Sequence, residues 1–300
     1  MLTAYIIEGR RLRRLPQPVG LEALRGATWI DLLRPEAEEI RLVEDTTGLQ
    51  VASETALAEI EPSCRLQYDG EALYLSALVV TERATATSIG FAVTQEYLLT
   101  VRFAESEEIE ALPEGLPNPE AIGRDATHVF VTLLEALVGR LADLLERTNA
   151  ELGVARAPEA ARAVLDAIGV AGARVASIHE SLLGMSRIVP YVDQTVRWLP
   201  AELHPRLAAL RQDVAALMEH QALVANRVRF MLETTLALTV TALNERARIL
   251  AVAAIVGIPP ALVAVIVALA VRPGGAWYGL IAVAASAVVP LAIIYFRGLP

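Results

Sequence analysis

The spacing of apolar residues changes character along the chain. In the first third the apolar runs are short and rich in β-branched or aromatic residues: Thr28-Trp29-Ile30-Asp31-Leu32, then residues 72–80, 87–93 and Tyr97-Leu98-Leu99-Thr100-Val101-Arg102, the last reached through Gln95-Glu96. Runs of this length, bounded by turn residues, predict one strand followed by an antiparallel meander. Between them Pro35 opens a helical stretch. Glu36, Glu38 and Glu39 fill its first turn and Ile40, Leu42 and Val43 form its apolar face, which suits the helix dipole. Two helices are expected to pack on one face of this sheet. Prolines 113, 117 and 119 place a boundary at residues 112–119, beyond which no strand pattern remains.

The remainder is helical. Residues 129–152 carry apolar side chains at 130, 133, 134, 137, 141, 144 and 145, one continuous helix face. Residues 157–185 give a second helix, weakened by Gly169, Gly172 and Gly184. Pro200 and Pro205 bracket the start of a third, and from Arg206 there is no Gly before Gly257 and no Pro before Pro259. Leu207, Leu210, Val214, Leu217, Val224, Val228 and Met231 keep a heptad-like rhythm along it. Unbroken from Arg206 to Val271, this helix would be about 100 Å long. A helix of that length needs neighbours throughout, so an oligomer is expected in which it lines a central axis.

Charge ends abruptly. After Arg248 the only charged side chains are Arg272 and Arg297. Residues 249–271 form an uncharged run of about 23 residues, enough as helix to span the hydrocarbon layer, and 273–296 a second of similar length. The segment Arg272-Pro273-Gly274-Gly275-Ala276-Trp277-Tyr278 has the Pro and Gly to reverse the chain and aromatics suited to a membrane interface. Two spans put both termini on one side. Residues 1–20 hold four Arg with no apolar stretch after them, unlike a secretory signal, so both termini are expected in the cytoplasm. The resulting divisions are a cytoplasmic α/β domain (1–118), a cytoplasmic helical bundle with stalk helix (119–248), a pore-lining span (249–271), an external loop (272–278), a second span (279–296) and a cytoplasmic tail (297–300). The fold class is α+β followed by a long α-helical stalk and two C-terminal transmembrane helices.

Composition narrows the chemistry. Hydrophobic residues make up 54% of the 300, aromatics only 5%, and the mean hydropathy is +0.45, too apolar for an ordinary soluble domain. Cys64 is the one cysteine, which excludes disulfide frameworks and multi-cysteine metal motifs and reads as a buried thiol. All 26 basic residues are Arg, which removes lysine nucleophiles and P-loop chemistry. A net charge of −9 argues against nucleic acid as a partner. Glu219-His220 and His179-Glu180 could touch a metal, but neither has a second His at i+4, and both read as surface histidines. No Ser/His/Asp or paired-carboxylate spacing supports an enzyme.

Several separated segments resemble the CorA family of divalent-cation channels, which includes the ZntB zinc-transport branch. Trp29-Ile30-Asp31-Leu32-Leu33-Arg34-Pro35 is similar to the family's opening strand and first helix cap, and Tyr97-Leu98-Leu99-Thr100-Val101-Arg102 to the strand that ends its α/β domain. The most specific stretch, Asn244-Glu245-Arg246-Ala247-Arg248-Ile249-Leu250, resembles the entry to the first membrane helix, with Pro259 fifteen residues after Asn244. The resemblance implies a funnel-shaped homopentamer in a bacterial inner membrane, with divalent metal ions, the bilayer and its own copies as partners and no organic cofactor. It departs at the outer pore mouth, where the family's Gly-Met-Asn falls by spacing on Ala268-Leu269-Ala270, which offers no side-chain oxygen.

Carried over position by position, the resemblance places Asn244, Ala247, Leu250, Ala254, Ile258, Ala261, Val265 and Ala268 on the pore, at steps of three or four residues. An Asn244 ring would coordinate or rehydrate a cation, and Leu250 and Ile258 rings would gate by dewetting. The alanines suit either a wider conduit or a closely packed bundle. Pro259-Pro260 implies a kink in the first span, or a backbone-oxygen site on the carbonyls it frees. Glu233 falls near the family's regulatory metal carboxylate on the stalk. The expected function is a divalent-cation channel or transporter for Mg²⁺, Zn²⁺ or Co²⁺. The alternatives are a non-conducting sensor or partner on the same scaffold, and a weakly selective or mechanosensitive channel.

Overall fold

The computed structural model describes residues 1–9, 11–58, 66–80, 86–105, 125–154 and 161–270, with the single positions 281 and 284. Cys64, the proline-rich boundary at 112–119, the loop at 272–278, all but two positions of 279–296, and the tail at 297–300 lie outside the described residues. Met1–Leu232 is one compact unit and Glu233–Pro300 a second.

The first unit is built on a seven-stranded sheet. Its strands are β1 (Leu2–Glu8), β2 (Arg11–Arg14), β3 (Trp29–Leu33), β4 (Leu66–Tyr68), β5 (Leu73–Val80), β6 (Ala86–Val93) and β7 (Leu98–Arg102), ordered β2-β1-β3-β7-β6-β5-β4. The expected meander is present: β5, β6 and β7 pair antiparallel in sequence order. The strand at Trp29 joins it by pairing parallel with β7, Asp31 opposite Thr100. β1 and β2 add an antiparallel edge that periodicity does not reveal. Leu2, Thr3, Ala4 and Tyr5 are all buried, so β1 shows no alternation, and Arg-rich β2 sends only Leu12 inward.

One face of the sheet is covered by α1 (Leu21–Arg25), α2 (Ala37–Thr47) and α3 (Glu54–Ala58). α2 starts where the acidic turn predicts, through a reciprocal capping box between Glu36 and Glu39, and stops at Gly48, whose φ of 72° few other residues adopt. The opposite face carries α4 (Ala126–Val154), α5 (Ala161–Thr195) and the first turns of α6 (His204–Ala270), which follows the 3₁₀ turn Ala201–Leu203. Leu75, Phe91 and Leu98 from the strands, Phe130, Leu134 and Leu141 from α4, Ile178 and Leu182 from α5 and Leu207 and Val214 from α6 share one buried cluster. α5 extends ten residues past the expected end at Met185 and runs through Pro190. Its apolar stripe continues through Ile188, Val189 and Val192, all buried, and that burial outweighs the weak helix formers. At Gly172 a Cβ would stand 3.5 Å from Val228 of α6, so this glycine sits at a close approach of the two helices. α6 is continuous over 67 residues, including Pro259-Pro260.

A buried polar chain locks the β3–β7 pair. Trp29 stacks on Tyr5 at 4.5 Å, and its Nε1 donates to Thr100 Oγ1 at 3.0 Å. Thr100 Oγ1 donates to Asp31 Oδ1 at 2.7 Å, and Arg102 Nη2 donates to Asp31 Oδ2 at 2.9 Å. Both charged side chains are removed from water. A one-residue slip would turn Asp31 and Arg102 to opposite faces, so the pair fixes the parallel register. Asp31→Ala is expected to cost about 3–5 kcal/mol because the guanidinium stays buried without its carboxylate. Urea unfolding of the full chain measures it; a loss below about 1 kcal/mol would mean the pair is no more than a surface bridge.

Candidate functional site

The candidate site is α6. Its first turns behave as a globular helix: Leu207, Leu210, Val214 and Val224 are buried in the common core, and buried Gln221 donates to the Val175 carbonyl on α5 at 3.3 Å. Met231 is the last residue of α6 packed against that core. From Leu232 onward no described side chain is buried. Leu236, Leu238, Val240, Leu243, Ile249, Leu250, Ile258, Leu262 and Ile266 are all exposed in the single chain. Single exposed apolar residues are ordinary, but two long apolar series on one helix, separated only by Asn244–Arg248, are not. Burying one such side chain is worth about 1.5–3 kcal/mol, so this surface calls for cover.

The structure puts the sequence-derived positions on that helix. Asn244, Ala247, Leu250, Ala254 and Ile258 are exposed and, at 100° per residue, fall within an arc of about 120°. Ala261, Val265 and Ala268 continue the spacing in the α6 backbone, but their side chains, like those of Pro260, Leu269 and Ala270, lie outside the described residues. Pro259 is exposed, and the helix continues through it. The two prolines withdraw the donors that would bond the carbonyls of Ile255 and Val256. Glu233 is exposed and lies three turns before Asn244, about 16 Å along the axis and about 20° around it, on the same face. Among the described residues no group of three His, Cys, Asp or Glu could hold a metal ion. Among the described residues, too, no helix is long and apolar enough to cross a membrane.

The histidines are placed as follows. His179 Nδ1 lies 3.2 Å from Gln221 Oε1 and joins α5 to α6, while His220 is exposed. Sequence reasoning passed over His128 and His204, which stand at the foot of α6. The pattern Asp125-x-x-His128 at a helix start was the available signal, since Asp125 Oδ1 accepts the His128 backbone N–H as a cap at 3.0 Å. A separate cleft of about 410 Å³ lies on the other face of the sheet, lined by Gln50, Ser53, Gln67, Asp69, Tyr74 and Ser76 among others. Backbone N–H groups of Ala72 and Glu71 hold the Asp69 carboxyl below its ordinary range, so it is a fixed anion already engaged in its own turn.

A family model for the CorA-like Mg²⁺ transporter protein matches residues 25–297. This chain belongs to the CorA family. The magnesium transport protein CorA of Pasteurella multocida is 25% identical over 280 residues, covering 88% of this chain and 86% of that protein; the Escherichia coli K12 protein of the same name is 23% identical over the same shares. The fold is that of the complete CorA magnesium transporter from Methanocaldococcus jannaschii, with a TM-score of 0.71 at 16% identity over 98% of this chain and 97% of that one. The full-length CmaX protein gives 0.65 at 18% identity over 99% of this chain and 97% of its own. The family is one of ion transporters, so this CorA member is not an enzyme. Leu236→Glu with Leu243→Glu is expected to lower the mass of the detergent-solubilised protein with its circular dichroism unchanged, by light scattering. An unchanged mass would mean these side chains face no second copy.

Proposed function

We propose that this chain is a divalent-cation transporter of the bacterial inner membrane, built as a homopentamer around α6. Residues 1–118 and 119–248 form its cytoplasmic part, 249–271 and 279–296 its two spans, 272–278 the external loop and 297–300 a cytoplasmic tail. Membership of the CorA family supports this reading, and one observation carries it: α6 leaves its chain's own core after Met231 and presents an apolar surface that runs on into an uncharged sequence. Second copies cover it in water and lipid covers it beyond. The arc bearing Asn244, Ala247, Leu250, Ala254 and Ile258, extended by Ala261, Val265 and Ala268, faces the conduit.

Within that arc Asn244 is the polar member. Five copies of its amide oxygen form a ring that receives a cation leaving the span, while Leu250 and Ile258 form rings narrow enough to exclude water when closed. At the outer mouth Ala268-Leu269-Ala270 supplies no side-chain oxygen, so the hydrated ion meets backbone carbonyls, with those of Ile255 and Val256 next along the path. That surface discriminates weakly among Mg²⁺, Zn²⁺ and Co²⁺. Glu233, on the same face, is the carboxylate available to a regulatory divalent ion.

The same Ala-Leu-Ala stretch favours a second reading, a sensor or partner protein that kept the scaffold and conducts nothing. Uptake of Mg²⁺, Zn²⁺, Co²⁺ and Na⁺ into proteoliposomes, beside a competent family member, separates the two. The transporter reading expects divalent uptake not shared by Na⁺, reduced at least about tenfold by Asn244→Leu, which removes the coordinating oxygen. No uptake of any ion overturns it in favour of the scaffold, and equal passage of Na⁺ overturns it in favour of a weakly selective channel.

A further inference from the structure

The chain has four histidines, and two of them stand where α6 begins. His128, in the first turn of α4, is buried with a carboxylate at each ring nitrogen. Nδ1 is 2.8 Å from Asp125 Oδ1, and Nε2 is 2.7 Å from Glu202 Oε1 on the 3₁₀ turn that leads into α6. His204, the first residue of α6, places Nδ1 2.7 Å from Asp193 Oδ1 on α5. The neighbouring contact is of another kind: Arg206 donates to Glu135 on α4 through Nε at 2.9 Å and Nη2 at 2.6 Å, and to Thr132 Oγ1 at 2.9 Å. Thr132 Oγ1 in turn donates to the His128 carbonyl. The foot of α6 is thus tied to α4 and α5 by one guanidinium, which stays charged, and by two imidazoles that meet carboxylates.

Two carboxylates stand at hydrogen-bond distance from the two ring nitrogens of His128. A carboxylate oxygen accepts and does not donate, so both ring nitrogens must carry hydrogen to satisfy both partners. Loss of one proton turns a nitrogen lone pair toward a carboxylate at hydrogen-bond distance. No described group of three ligands competes for these side chains as a metal site. The charged groups facing the ring among the described residues are Asp125 from its own cap and Glu202 from the turn, with the Arg206–Glu135 pair next beyond Thr132. Glu202 is largely exposed, so water screens its side of the contact. His204 makes one such contact, to Asp193, where His128 makes two; the larger share falls to His128.

We propose that the foot of α6 is a proton-dependent latch, with His128 between Asp125 and Glu202 as its main member and His204 on Asp193 as its second. With both ring nitrogens carrying hydrogen it clamps the start of α6 to α4 and α5; as pH rises and a ring proton leaves, it loosens. The sign follows from the partners: both are anions, so the contacts are whole at lower pH and lost at higher pH. The latch lies entirely in the Met1–Leu232 unit and does not depend on what the conduit carries.

Hydrogen–deuterium exchange of the purified full-length protein tests it, reading the peptide over residues 196–210 at about pH 6 and about pH 8 after correction for intrinsic rates. Opening of this segment is expected to rise about threefold at the higher pH in the wild type. The ratio should fall clearly toward one in His128→Gln, leaving the His204 share, and part of the way in Glu202→Gln, whose exposed position spares the fold if the buried substitution does not. A wild-type segment that opens equally at both pH values overturns the latch. So does a Glu202→Gln protein that keeps the full pH ratio.

Discussion

The structure depends on covering α6. Among the described residues, Met231 is the last of the 67-residue α6 packed against its own chain's core, and the large apolar side chains beyond it are exposed. Local propensity permits its length, because no Gly or Pro interrupts it from Arg206 to Val256, but propensity alone holds no helix of this kind in water. The packed start supplies the anchor. In the proposed transporter other copies or lipid replace water beyond it, so assembly, membrane insertion and the ion path would all rest on this single element.

The anchor depends on the sheet beneath it. α4 and α5 lie on strands whose order is set by the parallel β3–β7 pair, and that pair carries the buried Asp31–Thr100–Arg102 chain with Trp29 at its end. An ion pair removed from water is a poor source of stability compared with apolar packing. Its value here is in register: Asp31 and Arg102 meet only in one alignment of the two strands, and that alignment turns Trp29 and Leu98 into the core that receives the helices.

Legibility in the sequence followed how local each signal is. β5, β6 and β7 were visible because their β-rich runs end in turn residues, and α6 because nothing stops it. β1 was hidden by burial on both faces, and the last ten residues of α5, which run through Pro190, by long-range packing that no local pattern shows. The positions proposed to line the conduit came from the family resemblance; that they share one helix face follows from 100° per residue and needs no tertiary information. His128 was not: its partner Glu202 is 74 residues away, and no pattern along the chain announces a pair at that separation. The departure at Ala268-Leu269-Ala270 was legible only against the family's own motif.

The central claim is that one face of α6 lines a water-filled path, and labelling of introduced cysteines tests it most directly. In a Cys64→Ser background, single cysteines from position 244 to 258 would be exposed to a small, membrane-impermeant thiol reagent in proteoliposomes. The account predicts fast labelling at Asn244, Ala247, Leu250, Ala254 and Ile258, with added divalent ion slowing it, and slow labelling at Glu245, Ile249 and Val252 on the far side. Uniform labelling around the helix, or fast labelling confined to that far side, would contradict it.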